Sequence, residues 1–272
     1  MQLPVGWLHA LIIGFFLPAA ALAQTDARLQ EIANGDHRSA ENRARNDYRH
    51  PVETLEFFGL KDDMTVVEIW PGGGWYTEIL APYLRDKGRF IAAGFDQDVK
   101  EGYYARGSAA LAAKLAARPD LYDRVTVSEL APPHKVEIAP AGSADMVLTF
   151  RNLHNWMGQG QAEAVLAAAY LALKPGGVLG LVEHRGDPAK PQDPAAKSGY
   201  VTEAYAIALA ERAGFRLAAR SEINANPKDT KDHPKGVWTL PPNLAMGEQD
   251  RARYQAIGES DRMTLKFVKP AE

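Results

Sequence analysis

The sequence contains no cysteine. Disulfide bonds, thiolate metal ligands and cysteine nucleophiles are therefore excluded. An excess of positive charge is also missing, because 31 Lys and Arg residues stand against 34 Asp and Glu residues and the formal net charge is −3. Affinity for nucleic acid depends largely on neutralising phosphate charges, so we expect no bulk nucleic-acid binding.

Long hydrophobic runs are absent after the first segment, so no later part of the sequence predicts a membrane span. The stretch from Ala10 to Ala23 is apolar or small and ends in Ala21-Leu22-Ala23, a pattern typical of signal-peptide cleavage. It is shorter than the roughly 20 apolar residues that a span needs. We interpret residues 1–23 as a signal peptide and expect a periplasmic mature chain. An uncleaved membrane anchor is the alternative, because no lysine or arginine precedes the apolar run.

Residues 24–272 are expected to form one domain that starts with a helical extension over residues 24–50. Short β-rich runs then alternate with segments of helical spacing, and this alternation is typical of a Rossmann-like, doubly wound α/β sheet with helices on both faces. The predicted strands cover residues 65–70, 89–95, 124–127, 145–150, 178–183, 215–223 and 262–268.

Residues 224–260 interrupt this alternation and are rich in Pro, Asn, Lys and Asp. A long irregular insertion in a compact domain is usually a lid, a binding loop or a disordered segment. We favour a lid, because the preceding strand would deliver it to the edge of the sheet where ligands bind. A passive surface loop is the alternative.

A glycine-rich turn carries the strongest functional signal. The predicted strand through Glu68 and Trp70 leads into Gly72, Gly73 and Gly74, and a helix follows. Glycine allows positive φ and close approach of a ligand to the backbone. A helix N-terminus offers unpaired N–H groups to an anionic group. We therefore expect these five residues to contact a cofactor.

Asp96 follows the next predicted strand, at about the spacing at which nucleotide-binding βαβ units place an acid that binds ribose. Its carboxylate is suited to accept hydrogen bonds from both ribose hydroxyls. The turn is followed by Trp75-Tyr76-Thr77, so it lacks the third glycine of the nicotinamide-binding pattern.

Together these residues resemble the class I S-adenosylmethionine-dependent methyltransferases. Glu68, Gly72 and Gly74 match the first motif of that family, Trp70 stands in place of its first glycine, and Asp96 matches its ribose-binding acid. The resemblance covers about residues 51–223. It implies S-adenosylmethionine as cofactor and a seven-stranded, mostly parallel sheet whose last strand is antiparallel.

The same resemblance extends to three smaller features. Leu173-Lys174-Pro175-Gly176-Gly177 looks like the family's turn before its fifth strand, and Glu129 stands where the family often contacts adenine. Arg49-His50-Pro51 together with residues 73–80 looks like a group of exported bacterial proteins that are predicted methyltransferases.

Candidate catalytic residues follow two predicted strands. His154 lies in the loop after the fourth strand, and Glu183 and His184 end the fifth. Neutral imidazoles suit a general base near neutral pH. The alternative is that these side chains only cap strand ends. We predict no metal site, because no H-x-x-x-H or similar ligand spacing is present.

The sequence therefore predicts an S-adenosylmethionine-dependent methyltransferase that acts on a small-molecule or exported substrate. The alternative is a ligand-binding protein that keeps the fold without catalysis. Trp70 within the glycine motif and the export signal both favour that alternative, since fold alone does not establish activity. The sequence does not predict an oligomeric state.

The signal-peptide interpretation predicts that Met1 to Ala23 is removed on export. The mature chain would then begin at Gln24, because Ala21 and Ala23 offer the small residues that the peptidase requires. Intact-mass measurement on protein from a cell-envelope fraction checks this. A full-length mass in the membrane fraction would show an anchor instead.

Overall fold

The computed structural model describes residues 26–271, and the predicted signal peptide lies outside them. Within this range a single mixed sheet is built from seven strands: β1 (Thr65–Ile69), β2 (Arg89–Gly94), β3 (Thr126–Glu129), β4 (Ala144–Phe150), β5 (Leu173–His184), β6 (Arg216–Ser221) and β7 (Arg262–Val268). Their order is β3-β2-β1-β4-β5-β7-β6. Strands β1 to β5 pair in parallel, and β7 is antiparallel to β5 and β6. The predicted Rossmann-like fold is therefore confirmed.

Helices surround this sheet. They are α1 (Ala27–Asn34), α2 (Ala40–Ala44), α3 (Asn46–Arg49), α4 (Pro51–Phe58), α5 (Thr77–Leu84), α6 (Gly102–Ala117), α7 (Pro119–Tyr122), α8 (Leu153–Gly158), α9 (Ala162–Ala172), α10 (Glu203–Arg212) and α11 (Arg251–Ile257), with a 3-10 turn at Gly236–Thr239. None of the helices in residues 26–271 has the length and apolar character that crossing a bilayer requires.

The core forms two layers because successive residues of a strand point to opposite faces of the sheet. Val66 packs in the layer that includes side chains from α1, α4 and α5. Its neighbour Val67 packs in the other layer, which includes side chains from α8, α9 and α10. Central strands such as β1 and β4 are thus covered on both sides, which explains their continuous apolar runs, whereas the edge strands β3 and β6 stay partly exposed.

Two local predictions are corrected by the structure. The segment from Lys174 to Gly177, which we predicted as a turn before the fifth strand, lies within β5. It stays in the sheet because Leu173 pairs with Ala144, the register then shifts, and the Gly176 N–H donates to the Lys269 carbonyl. The segment after β4 that carries His154, which we predicted as a loop, is instead helix α8 from Leu153 onward.

The strand order reverses between β1 and β4, and this is the place where open α/β sheets bind ligands. Asn152 connects the two strand ends. Its Nδ2 donates to the Ile69 carbonyl at 3.0 Å and to the Thr149 hydroxyl at 3.2 Å. The loops that follow β1 and β4 are therefore held side by side.

Close packing of α4 on β5 predicts a steric effect at Gly180. A Cβ there would lie 2.6 Å from Leu148 and 2.7 Å from Phe58, whereas the nearest atom to a Cβ on Gly94 of β2 is 3.7 Å away. We expect Gly180→Ala to lower the free energy of unfolding by roughly 1–3 kcal/mol through overpacking. Gly94→Ala is the matched control and should leave stability unchanged or slightly raised. Urea unfolding of both variants measures this, and equal effects would contradict the packing described.

Candidate active site

A cavity of about 510 Å³ opens at the carboxyl ends of β1, β4 and β5. The glycine turn after β1 forms one side, and the loop after β4 forms another. Residues from α2 and α3 and from the insertion, including Trp238 and Pro241, complete the wall. The N-terminal helices and the insertion therefore shape this site together with the sheet.

The glycine turn presents bare backbone to this cavity. Gly72 has a φ of +58°, and a Cβ on either Gly72 or Gly73 would meet no atom within 4 Å. Gly74 has a φ of +78°, and a Cβ at this position would lie only 3.1 Å from the side chains of Leu111 and Lys114 of α6. Gly72 and Gly73 are thus open to a ligand, whereas Gly74 is needed for the turn and for helix packing.

Glu68 lies behind the turn and lines the same cavity. Its side chain is 2% exposed, and its Oε2 accepts a hydrogen bond of 2.8 Å from the Thr77 hydroxyl. Burial raises the pKa of Glu68 to about 8, although the Thr77 hydrogen bond opposes this. A buried carboxyl in this state is suited to receive a ligand ammonium group, which would favour its charged form.

Trp70 packs as a core residue and also lines the cavity. Its indole contacts Phe95 and Tyr104, with ring centroids 5.0 and 5.3 Å away, and its Nε1 donates to the Leu130 carbonyl at 2.9 Å. The backbone φ of +49° is unusual for a residue other than glycine. Trp70 and Phe95 also line a second cavity of about 320 Å³, so they form the wall between the two.

Asp96 lines the second cavity together with Lys135, and Glu129 contacts the same lysine. Lys135 Nζ lies 2.6 Å from Asp96 and 2.7 Å from both Glu129 and Asp98. The structure therefore brings the two predicted cofactor acids together around Lys135, a residue that belongs to none of the sequence motifs. The hydrogen bond from Lys135 lowers the pKa of Asp96.

His154 and Glu183 form a buried pair. The Glu183 carboxyl is fully buried and lies 3.0 Å from His154 Nδ1. It also accepts the backbone N–H groups of His154 and His184, at 3.1 and 2.7 Å. A carboxylate only accepts, so Nδ1 carries a hydrogen, and in the neutral imidazole Nε2 then has the free lone pair. Since His154 lines the cavity and Glu183 does not, the histidine is the group that can meet a substrate.

His184 lies beside this pair, with its ring centroid 5.3 Å from that of His154. Its Nδ1 contacts the Ser260 hydroxyl. Burial, and next the proximity of His154 and Arg151, lower the pKa of His184 well below its usual range, so it is neutral near pH 7. His184 therefore contributes a neutral polar wall.

Potential metal-ligand atoms of His154, Glu183 and His184 lie within 4.8 Å of one another, although their sequence spacing forms no metal motif. Glu183 already accepts three hydrogen bonds, and His154 Nδ1 is one of the donors. Nearby arginines also oppose a cation. The prediction of no metal therefore stays in place, and we interpret the group as an oriented histidine.

Arginines that the sequence analysis did not select dominate one end of the cavity. Arg45 and Arg49 reach it from the N-terminal helices, Arg151 from the residue after β4, and Arg262 from the start of β7. Two of them lay in segments named in the sequence analysis. Arg49 begins the Arg49-His50-Pro51 segment, and Arg151 belongs to the loop after the fourth predicted strand. Glu259, which pairs with Arg45 and Arg49 at 2.6 and 3.1 Å, is more than 200 residues away from them in the chain, and no local pattern connects the three.

No protein-family model and no curated protein matches the chain. Solved structures do match its fold. A SAM dependent methyltransferase from Aquifex aeolicus is 17% identical with a TM-score of 0.55, and the match covers 83% of this chain and 93% of that one. The cyclase SpnF is 16% identical with a TM-score of 0.57, covering 88% and 85%.

A third match is Haemonchus contortus phosphoethanolamine N-methyltransferase 2, in complex with phosphomonomethylethanolamine and S-adenosylhomocysteine. It is 14% identical with a TM-score of 0.56, and covers 89% of this chain and 57% of that one. At such identities the matches show the fold alone, and the fold is the Rossmann-like methyltransferase fold.

The raised pKa of Glu68 predicts a pH-dependent stability. The unfolded carboxyl ionises near 4.5 while the folded one stays neutral to about 8, so stability is lost as pH rises between these values. The loss is at most about 1.4 kcal/mol per pH unit. Glu68→Gln keeps the neutral shape and should flatten this slope in urea unfolding. Exposed Glu211→Gln is the control, and equal slopes in both variants would show that Glu68 is not the group responsible.

Proposed function

We propose that this protein is an S-adenosylmethionine-dependent methyltransferase that acts on a small-molecule or exported substrate. One observation carries the proposal. The open glycine turn, the buried acid Glu68 and the oriented His154 all face one cavity at the switch point of a methyltransferase-type sheet. That cavity combines a place for a cofactor with a base for an acceptor.

The residues present fit the two ends of the cofactor. Gly72 and Gly73 allow close backbone approach, and Glu68 suits the ammonium of the methionine end. Asp96 suits the ribose hydroxyls, provided that Lys135 releases Asp96 and keeps its contacts with Asp98 and Glu129. The bound cofactor supplies an electrophilic sulfonium methyl group.

The protein's own contribution to methyl transfer is to position the acceptor, exclude water and remove a proton. His154 Nε2 would accept the proton of the attacking hydroxyl or amine while the bond to the methyl carbon forms and the bond from that carbon to the cofactor sulfur breaks. Glu183 holds the imidazole in the tautomer that leaves Nε2 free and stabilises the imidazolium that results. Glu183 is therefore a positioning residue, and His154 is the catalytic residue.

A ligand-binding protein without catalysis is the second candidate. The observation behind this candidate is Trp70, which forms part of the wall between the two cavities where the family's motif has glycine. The buried His154–Glu183 pair favours the enzyme, because a passive binding site has no need of an oriented base. Export of the mature chain to the periplasm stays a proposal on the pattern of residues 1–23.

Calorimetry with S-adenosylhomocysteine tests the cofactor part of this proposal. We expect binding to the native protein and at least roughly tenfold weaker binding to Gly73→Val, because the valine would occupy the open space beside the turn. Exposed Ala218→Val on β6 is the matched control and should bind as the native protein does. Absence of binding to the native protein at millimolar concentration would refute the proposal.

Turnover is tested with methyl-labelled S-adenosylmethionine and a panel of hydroxyl and amine acceptors. His154→Gln should keep S-adenosylhomocysteine binding and lower the rate of methyl transfer by roughly 10²- to 10⁴-fold, the usual contribution of a general base. Equal rates in the native and variant proteins would remove His154 from the mechanism. Cofactor binding without transfer to any acceptor would favour the ligand-binding alternative.

A further inference from the structure

We infer that the methyl acceptor carries an anionic group, a carboxylate or a phosphate, which binds to the arginines at the β4–β7 end of the cavity. That the bound molecule is the methyl acceptor rests on the proposed function. The anion site itself follows from the charges, the unpaired donors and the position of the arginines.

Charge is the first observation. Four arginines line the cavity, against only two acidic side chains, Glu68 and Glu259. Burial raises the pKa of Glu259, but Arg262, Arg49, Arg151 and Arg45 together outweigh this and hold the pKa well below its usual range. Glu259 is therefore charged yet neutralises one arginine at most. Uncompensated buried charge is costly, so the cavity favours an anion.

Unpaired donors are the second observation. The side chain of Arg49 is 2% exposed, and its Nε pairs with Glu259. Its Nη1 and Nη2 are buried and have no hydrogen-bond partner within residues 26–271, and the same is true of Arg45 Nη2 and Arg262 Nε. Buried donors are normally satisfied. A planar guanidinium with two free nitrogens matches the two oxygens of a carboxylate or phosphate.

Arg151 is the third observation. No hydrogen bond or ion pair of its side chain is found in the described part of the chain, although it lines the cavity directly after β4. Its backbone φ of +61° is unusual for arginine, and such outliers cluster at functional sites. Burial, and next the charge of Arg262, lower the pKa of Arg151 to about 10, which still leaves it protonated at neutral pH.

The position of this cluster assigns the anion to the acceptor. Arg262 stands directly opposite His184 in the β5–β7 ladder, and Arg151 follows β4. Both lie on the far side of β1 from β2 and β3, the strands that Asp96 and Glu129 follow or end. An anionic group held here places the rest of the molecule beside His154.

Aromatic rings form part of the cavity wall beside the arginines. The rings of Tyr76 and Phe150 are stacked at 3.5 Å, and Trp75 lies 4.6 Å from the Arg49 guanidinium carbon. These side chains line the cavity and can pack against the carbon skeleton of an organic anion. The acceptor class is thus a small organic anion with a hydroxyl or amine to be methylated.

Calorimetry at fixed ionic strength with three probes tests the site. These are inorganic phosphate, benzoate, and benzamide as the neutral counterpart of benzoate. We expect at least one of the two anions to bind the native protein, and benzamide not to. Arg151→Gln should weaken that anion roughly 10- to 100-fold, as expected for loss of a charge-assisted hydrogen bond. Exposed Arg216→Gln on β6 should bind as the native protein does.

The same variant separates a binding role from a structural one. Arg151→Gln breaks no hydrogen bond or ion pair of the described chain and removes one of several like charges, so its Tm should equal or exceed that of the native protein. Weaker anion binding at unchanged or higher Tm supports the inference. Unchanged anion binding in Arg151→Gln, or benzamide binding as tightly as benzoate, would overturn it.

Repeating the titrations with saturating S-adenosylhomocysteine distinguishes the acceptor site from the cofactor's own carboxylate. We expect the anion to bind undiminished, and complete competition would overturn the assignment to the acceptor. If S-adenosylhomocysteine binds but neither phosphate nor benzoate does, this inference is refuted and the proposed function is not. If an anion binds but S-adenosylhomocysteine does not, the proposed methyltransferase function is refuted. The anion site would then stand, without its assignment to a methyl acceptor.

Discussion

Parallel pairing of β1 with β4 is the constraint on which the rest of the site depends. It reverses the strand order, and Asn152 connects the two strand ends by hydrogen bonds to Ile69 and Thr149. The glycine turn and the histidine loop therefore open into one cavity instead of two separate surfaces. Every functional group considered above takes its position relative to this junction.

Buried ionisable groups define the character of that cavity. Burial raises the pKa of Glu68, whereas nearby arginines lower the pKa of Glu259. Glu183 accepts three hydrogen bonds. The three glutamates thus have three different environments, and the pKa values of Glu68 and Glu259 are shifted in opposite directions. Shifted pKa values of buried groups are typical of functional sites, where the environment of each group is matched to its chemical task.

Much of the architecture was predictable because it rests on local patterns. Alternating apolar runs predicted the strand positions to within a few residues, and the glycine turn after β1 indicated a ligand site at one edge of the sheet. The start of β5 was not predictable: the Lys174–Gly177 segment has turn chemistry, but pairing with β4 and a bulge keep it in the sheet. Long-range hydrogen bonds decided that boundary.

By itself, the sequence determined the fold class, the open backbone at Gly72 and Gly73, and the placement of His154 shortly after β4 and of His184 at the end of β5, since each follows from residue types at short spacing. Only the tertiary structure decided which groups meet. It places His154 in hydrogen-bond contact with Glu183, and Asp96 and Glu129 in contact with Lys135. It also places Arg49, Arg151 and Arg262 at one end of the cavity. The physical reason is that ion pairs and shared cavities depend on distance in space, and residues up to about 200 positions apart carry no local signal of such contacts.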